Sequence, residues 1–315
     1  MIGVLCSDGK RHDYASALQT GHAPAGGRTL PLLFFSATDH DSKSGLVDGL
    51  AAGAPAKVVR AELPRVILNL SVQTNSSGRR ALKALRLNPN VHLINPANRF
   101  NQWTVQQMLA SSLNLANNQL PMQVSDQREL YAQVIRAQGL LFTPIQSTSP
   151  WRLHYLPDSR KAALLGAPGQ SEWLDQMLLR ISFHQRWLSS EVPELLCTGK
   201  RPLVARIYLQ RGMGGLWTVL GKSQFNGQPS AGDLAGPVST LALQAIHTLS
   251  TYLPTLGLAF VDFVFSIQGE PFLLHAGGWD YRLLLASELH QPLLDNLFNY
   301  AYWLLSHQEV APDVD

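Results

Sequence analysis

The stretch GLAFVDFVFSIQGEPFLLHAGGWDYR, residues 257–282, reads as a strand, a turn and a second strand. The first run is apolar on both sides of a single carboxylate, Asp262, and the second ends at His275, Gly277 and Gly278. The strand pair is therefore a working metal site, a changed one, or only the end of a hairpin.

Working outward, LVARIYLQRGMGGLWTVLGKSQF (203–225) reads as another hairpin, with two β-rich runs flanking Gly212, Gly214 and Gly215. No helix opens after these glycines, so they are turn residues and not a phosphate loop. Apolar residues at helical spacing predict a helix over 237–253, and a closing helix runs from about Arg282 to Leu305. Upstream, FNQWTVQQMLASSL (100–113) is amphipathic, with Phe100, Trp103, Met108 and Leu109 sharing one face. Asp126 with Glu129 three residues on predicts a capped helix through Arg136. Residues 139–145 and 151–156 read as paired strands, followed by a helix over 171–181 capped by Ser171. Trp173, Phe183 and Trp187 are spaced for a helical face. In the first hundred residues, buried-type strands at 2–6, 30–36, 66–70 and 91–94, with a helix at 78–87, predict a small parallel sheet.

Composition narrows the class. The 315 residues are 45% hydrophobic and 15% charged, enough apolar content for two or three subdomains with their own cores. A net charge of +3 with no Lys/Arg cluster argues against nucleic acid as a partner. The run Leu256–Ile267 is too short to span a bilayer, and MIGVLCSDGK does not read as a signal peptide. Cys6 and Cys197 lack a CxxC partner and fit reduced, buried thiols in a cytoplasmic protein. GxSxG, HExxH and Walker-type loops are absent. His12, His22 and His40, with Asp13, Asp39 and Asp41 nearby, fit no metal-site spacing and read as loop residues.

The order of parts resembles the YheC/YheD-like ATP-grasp family, which is associated with bacterial spore coats. The residues that carry the resemblance are HLINPANRFNQWTVQQML (92–109) followed by LPMQ (120–123), then Gly199, Arg201, Pro202, Arg206, Gln210 and Trp217. IGVLCS, LFFSATDH and VILNL are similar to the family's N-terminal domain. The resemblance implies an α/β and α+β architecture: a small α/β N-terminal domain over 1–98, then an ATP-grasp domain over 99–315 whose two α+β subdomains divide near 190–200. It also implies ATP and Mg²⁺ as cofactors and, for any reaction, ATP-dependent ligation through an acyl phosphate.

Matched residue by residue, the family's site is altered here. Its Leu-Lys-Pro and glycine-rich loop correspond to Leu141-Phe142-Thr143-Pro144 and the segment through Trp151. Thr143 stands in place of the phosphate-binding Lys, and the loop has no glycine. In the second sheet Val204 replaces an Asp while Arg206 remains, either to contact phosphate or as a strand arginine satisfied by a surface carboxylate, and Lys222 on the paired strand is either a replacement cation or a solvent-facing lysine. In the last strand pair Asp262 is kept, but His275 stands for a Glu and Gly277 for an Asn. Mg²⁺ prefers hard oxygen donors, whereas imidazole suits zinc, copper or nickel. Asp262 and His275 are thus ancestral metal positions now expected to form a buried hydrogen-bonded pair, with Asp280 able to join only if its loop folds back.

The expected function is a catalytically degenerate YheC/YheD-like protein acting in a structural or interaction role, with protein partners of the spore-coat type implied by the resemblance alone. An active ATP- and Mg²⁺-dependent carboxylate–amine ligase with a rearranged site, and a small-ligand binding module, are the alternatives.

Overall fold

The computed structural model describes residues 1–7, 9–19, 31–52, 57–73, 75–126, 128–129, 132–133, 140–145, 152–156, 161–165, 171–173, 186–191, 195–198, 201–224 and 236–307. The chain opens with β1 (Ile2–Cys6), α1 (Arg11–Gln19), β2 (Leu32–Ser36), β3 (His40–Asp41), β4 (Leu46–Ala51), β5 (Lys57–Glu62), β6 (Val66–Asn69), α2 (Ser76–Leu87) and β7 (His92–Ile94). Strands β1, β2, β6 and β7 run parallel, as their continuous apolar runs predict. The sheet is nevertheless mixed, because β3, β4 and β5 extend it antiparallel beyond β2. LVDGLA and KVVRAE carry too much Gly and charge to announce strands; the neighbouring strands supply their pairing. In the order β3-β4-β2-β1-β6-β7, β2 and β6 lie on opposite sides of β1. The carboxyl ends of β1 and β6 thus form a topological switch point, where open α/β sheets leave a crevice.

Next come α3 (Gln102–Ala110), β8 (Gln123–Ser125), β9 (Leu140–Pro144), β10 (Arg152–Leu156), β11 (Lys161–Leu165), β12 (Ser171–Trp173) and β13 (Trp187–Glu191). The Asn101 side chain caps α3 by accepting from the Thr104 N–H. The strands form an antiparallel sheet in the order β12-β11-β10-β9-β13-β8. The box expected after Asp126 is present: the Asp126 N–H donates to Glu129 Oε2 at 2.9 Å, and the Glu129 N–H to Asp126 Oδ1 at 2.8 Å. Arg128, Glu129, Ala132 and Gln133 are helical, and the rest of that helix lies outside the described residues. The helix expected from Ser171 is corrected. Ser171–Trp173 pairs antiparallel with Lys161–Ala163, so cross-strand bonding overrides the N-cap signal. Trp187 likewise opens a strand and is buried, and Phe183 lies outside the described residues.

The C-terminal part contains the short pair β14 (Cys197–Thr198) and β15 (Arg201–Pro202), then β16 (Val204–Arg211), β17 (Trp217–Gln224), α4 (Pro237–Tyr252), β18 (Leu258–Phe265), β19 (Pro271–Gly277) and α5 (Ser287–His307). β17-β16-β18-β19 form an antiparallel sheet covered on both faces. Ile207, Leu209, Ala259, Val261 and Phe263 pack with α4 in one core. Tyr208, Leu258 and Phe260 join Tyr300 and Leu297 of α5 and the N-terminal sheet in another. The β16–β17 turn uses Gly214 and Gly215 at φ 67° and 69°, conformations closed to most side chains. Tyr300 is buried and stacks on Trp303, which packs α5 down, while Tyr302 stays exposed. Among the described residues, no helix is long and apolar enough to cross a membrane.

One residue joins the N-terminal sheet to this last sheet. Asn95 is completely buried and holds a left-handed φ of 58°. Its Oδ1 accepts from the Gly257 and Leu258 N–H groups at 2.8 and 3.0 Å. Its Nδ2 donates to Leu258 O at 2.6 Å and to Asn98 Oδ1 at 3.2 Å. The amide thus acts as an extra strand partner for β18, while the Asn95 carbonyl accepts from Asn69 Nδ2 at the end of β6. Each lost bond that strands a buried partner costs about 1–3 kcal/mol. Asn95→Ala should therefore lower the unfolding free energy by about 3–5 kcal/mol. Asn95→Gly, free of the left-handed penalty, should retain about 1 kcal/mol more than the alanine variant. Urea unfolding of the two variants checks both figures; a loss below about 1 kcal/mol in the alanine variant contradicts the stapling role.

Candidate functional site

The register of the last sheet places Arg206 opposite Asp262, and Asp262 opposite His275. The second match depends on an irregularity between Asp262 and Phe263, which re-aims His275 toward the acid. Alternation along β18 sends Phe260 and Asp262 to the same face, toward the N-terminal sheet.

On that face the ions are tightly paired. Arg206 Nε donates to Asp262 Oδ1 at 2.6 Å and Nη2 to Oδ2 at 2.8 Å, a two-pronged fork. Its remaining nitrogen, Nη1, donates to Asp280 Oδ2 at 2.6 Å. The segment after β19 does fold back, but it brings Asp280 to an arginine. Asp280 also accepts from the Tyr208 hydroxyl at 2.8 Å and from Arg282 Nε at 3.0 Å. The side chains of Arg206 and Asp262 are 4% and 0% exposed. Burial on its own pushes the Asp262 carboxyl up, but the Arg206 charge and bonds more than reverse this and hold it well below the usual carboxylate range. Asp280 is depressed for the same reason, with burial opposed by Arg206 and Arg282. Burial raises the Tyr208 phenol. His275 Nδ1 lies 3.4 Å from Asp262 Oδ2, the long edge of hydrogen-bond range.

The remaining space is filled by a ring. Arg206 Cζ sits 3.8 Å from the centroid of Phe260, so the guanidinium rests on an aromatic face while its edges donate to the carboxylates. Phe260 also lies directly against Gly277; a Cβ built there would come within 2.5 Å of the ring. An amide side chain at this position has no room. The described residues therefore do not fit Mg²⁺: both Asp262 oxygens accept from Arg206, residue 277 has no donor and no space for one, and a cation already sits between the acids. No cluster of three His, Cys, Asp or Glu suited to a metal ion occurs among the described residues.

Of the residues singled out from sequence, Arg206, Asp262 and His275 come together. Lys222 does not join them: it pairs with Ile207, one position out of phase with the Arg206–Ser223 match, and so lies on the α4 face. Thr143 lies in β9 opposite Leu188, but its side chain and the loop from Gln146 to Trp151 are outside the described residues. Sequence reasoning missed Phe260, Tyr208 and Arg282. The bare Gly277 one strand across from an aromatic was the signal for Phe260. A cleft of about 290 Å³ opens above the cluster, between the last sheet and the carboxyl ends of β1 and β6, where Ser7, Leu70 and Val72 line it.

No family model matches the chain, and no curated protein does. Solved structures do. D-alanyl-alanine synthetase A from Vibrio cholerae is 10% identical, covers 96% of this chain and 96% of its own, and superposes with a TM-score of 0.53. The D-alanine-D-alanine ligase from Coxiella burnetii is 11% identical over 98% and 99%, TM-score 0.51. The ATP-grasp ligase PsnB, solved with minimal precursor, Mg and ADP, is 12% identical over 94% and 96%, TM-score 0.51. The chain has the ATP-grasp fold.

Removing one member of the buried pair strands a charge, at a cost of about 3–5 kcal/mol. Asp262→Leu and Arg206→Met should each destabilise by that order, while the two combined should recover most of the loss in a double-mutant cycle. Additive losses contradict the pairing. Both Asp262 and Asp280 titrate lower when folded, so their stabilisation is complete above the unfolded carboxyl pKa of about 3.9 and fades as pH falls below it. The unfolding free energy of the wild type should fall steeply below about pH 4. That of Asp262→Asn should fall less steeply, and equal acid slopes would contradict the depressed carboxyl.

Proposed function

We propose that this chain is an ATP-grasp protein of the YheC/YheD type that has lost magnesium-dependent phosphoryl chemistry and serves a structural or interaction role. The observation that carries the reading is the fork of Arg206 onto Asp262. The one carboxylate retained from the expected metal set is spent on an internal cation, and the space beside it holds Phe260 against Gly277. Phosphoryl transfer needs a metal bridging phosphate oxygens and donors held ready for developing charge. The spore-coat partners that go with the YheC/YheD resemblance are the first to test. Were the chain active, its fold makes ATP-dependent ligation the reaction to assay.

Melting with and without millimolar Mg-ATP tests the reading. A ligand present at about 100 times its Kd stabilises by roughly 2.7 kcal/mol, several degrees for a chain this long. The expected result is no magnesium-dependent shift. A shift of several degrees that disappears with EDTA overturns the proposal and favours a rearranged ligase.

A further inference from the structure

We infer that the cleft above the Arg206 cluster is a metal-independent binding site for a small aromatic carboxylate, with Arg99 as its anion anchor. The inference rests on the reading that Arg206 fills the metal position, because only then does the local charge come out as it does. Arg206 and Arg282 are balanced by Asp262 and Asp280, and all four are engaged with one another. Arg99 also lines the cleft, and its guanidinium has no hydrogen bond or ion pair among the described residues. Desolvation holds its pKa below the ordinary value, as expected for a cation drawn partly from water without a compensating anion. Among the described residues that line the cleft, Arg99 is therefore the guanidinium left without a carboxylate partner. A guanidinium matches a carboxylate bidentately.

The walls set the rest of the ligand. Tyr14, Phe100, Phe260, Trp279 and Tyr281 line the same cleft. Tyr14 and Trp279 are fixed in place: Trp279 Nε1 donates to the Tyr14 hydroxyl at 3.3 Å, which donates to the Leu70 carbonyl at 3.1 Å. Tyr281 meets Tyr14 edge-on with ring centroids 6.2 Å apart. Such rings favour a planar apolar body. The volume of about 290 Å³ lies at the small end of the range for ligand pockets and suits a single ring with a short acidic arm. The position, at the switch point of β1 and β6, is where sheets of this type leave room for a ligand.

Calorimetric titration in EDTA, without nucleotide, tests this with benzoate, benzamide, acetate and inorganic phosphate. Benzoate should bind at least about tenfold more tightly than benzamide, acetate or phosphate, the scale of one charge-assisted contact. Arg99→Ala should weaken benzoate about tenfold and leave benzamide unchanged. Because Arg99 is exposed, the variant should melt with the wild type, which separates lost binding from lost folding. Equal binding of benzoate and benzamide, tighter binding of phosphate, wild-type affinity for benzoate in Arg99→Ala, or no benzoate heat at tens of millimolar would each overturn the inference. Failure here with Mg-ATP still inert leaves the proposed function standing. Benzoate binding that appears only with magnesium defeats both.

Discussion

The guanidinium of Arg206 is the element on which the C-terminal half of the molecule turns. It lies among two carboxylates and an aromatic face, and all three of its nitrogens donate at 2.6 to 2.8 Å. Burying a charge this deeply is tolerable only when it is fully paired. The neighbourhood is built to that end: Asp262 from the adjacent strand, Asp280 from the segment that folds back, and Tyr208 and Arg282 completing Asp280 in turn. A divalent ion and a guanidinium compete for the same oxygens. Here the guanidinium holds them, and Phe260 over Gly277 closes the space where another ligand would project.

The same strands also fix the first sheet to the last. Leu258, two residues before Phe260, is bonded at both its N–H and its carbonyl by the Asn95 side chain. Asn98 donates to the Asn69 and Ser71 carbonyls at the end of β6, and its own carbonyl accepts from the Gly278 N–H just past β19. Gly278 has no room for a Cβ, which would meet Asn98 Oδ1 at 2.6 Å. These buried amides set the cleft's width, because both of its walls hang from them. The cleft is thus held between the same buried amides that join the two sheets.

Much of the fold was legible because strands buried on both faces show as unbroken apolar runs. β1, β2, β6 and β7 announce themselves in this way, as does β18 on either side of Asp262. β4 and β5 did not, since Asp48 and Gly49 interrupt the one and Lys57, Arg60 and Glu62 the other, and both owe their conformation to neighbours. Ser171 misled for the related reason that an N-cap side chain and a strand start look alike locally. At the site, Arg206, Asp262 and His275 were recoverable from their strand positions. The Asp262–His275 contact was expected and is present at 3.4 Å, but the pairing of Arg206 with Asp262 and Asp280 was not, because it depends on strand registry and on a loop reversal at Asp280, neither of which leaves a periodic trace. The phase of Lys222 relative to Arg206 was lost for the same reason: the face a strand residue occupies depends on registry with its neighbour.

Manganese titration followed by electron paramagnetic resonance reports most directly on whether Arg206 holds the cation's place, since free and protein-bound Mn²⁺ give distinct signals. Set against the same solution without protein, the wild-type chain should leave the free-ion signal undiminished. One equivalent of Mn²⁺ taken up by the wild type, and released on Asp262→Asn, would show the carboxylate to be open to metal and would contradict the arginine-filled site.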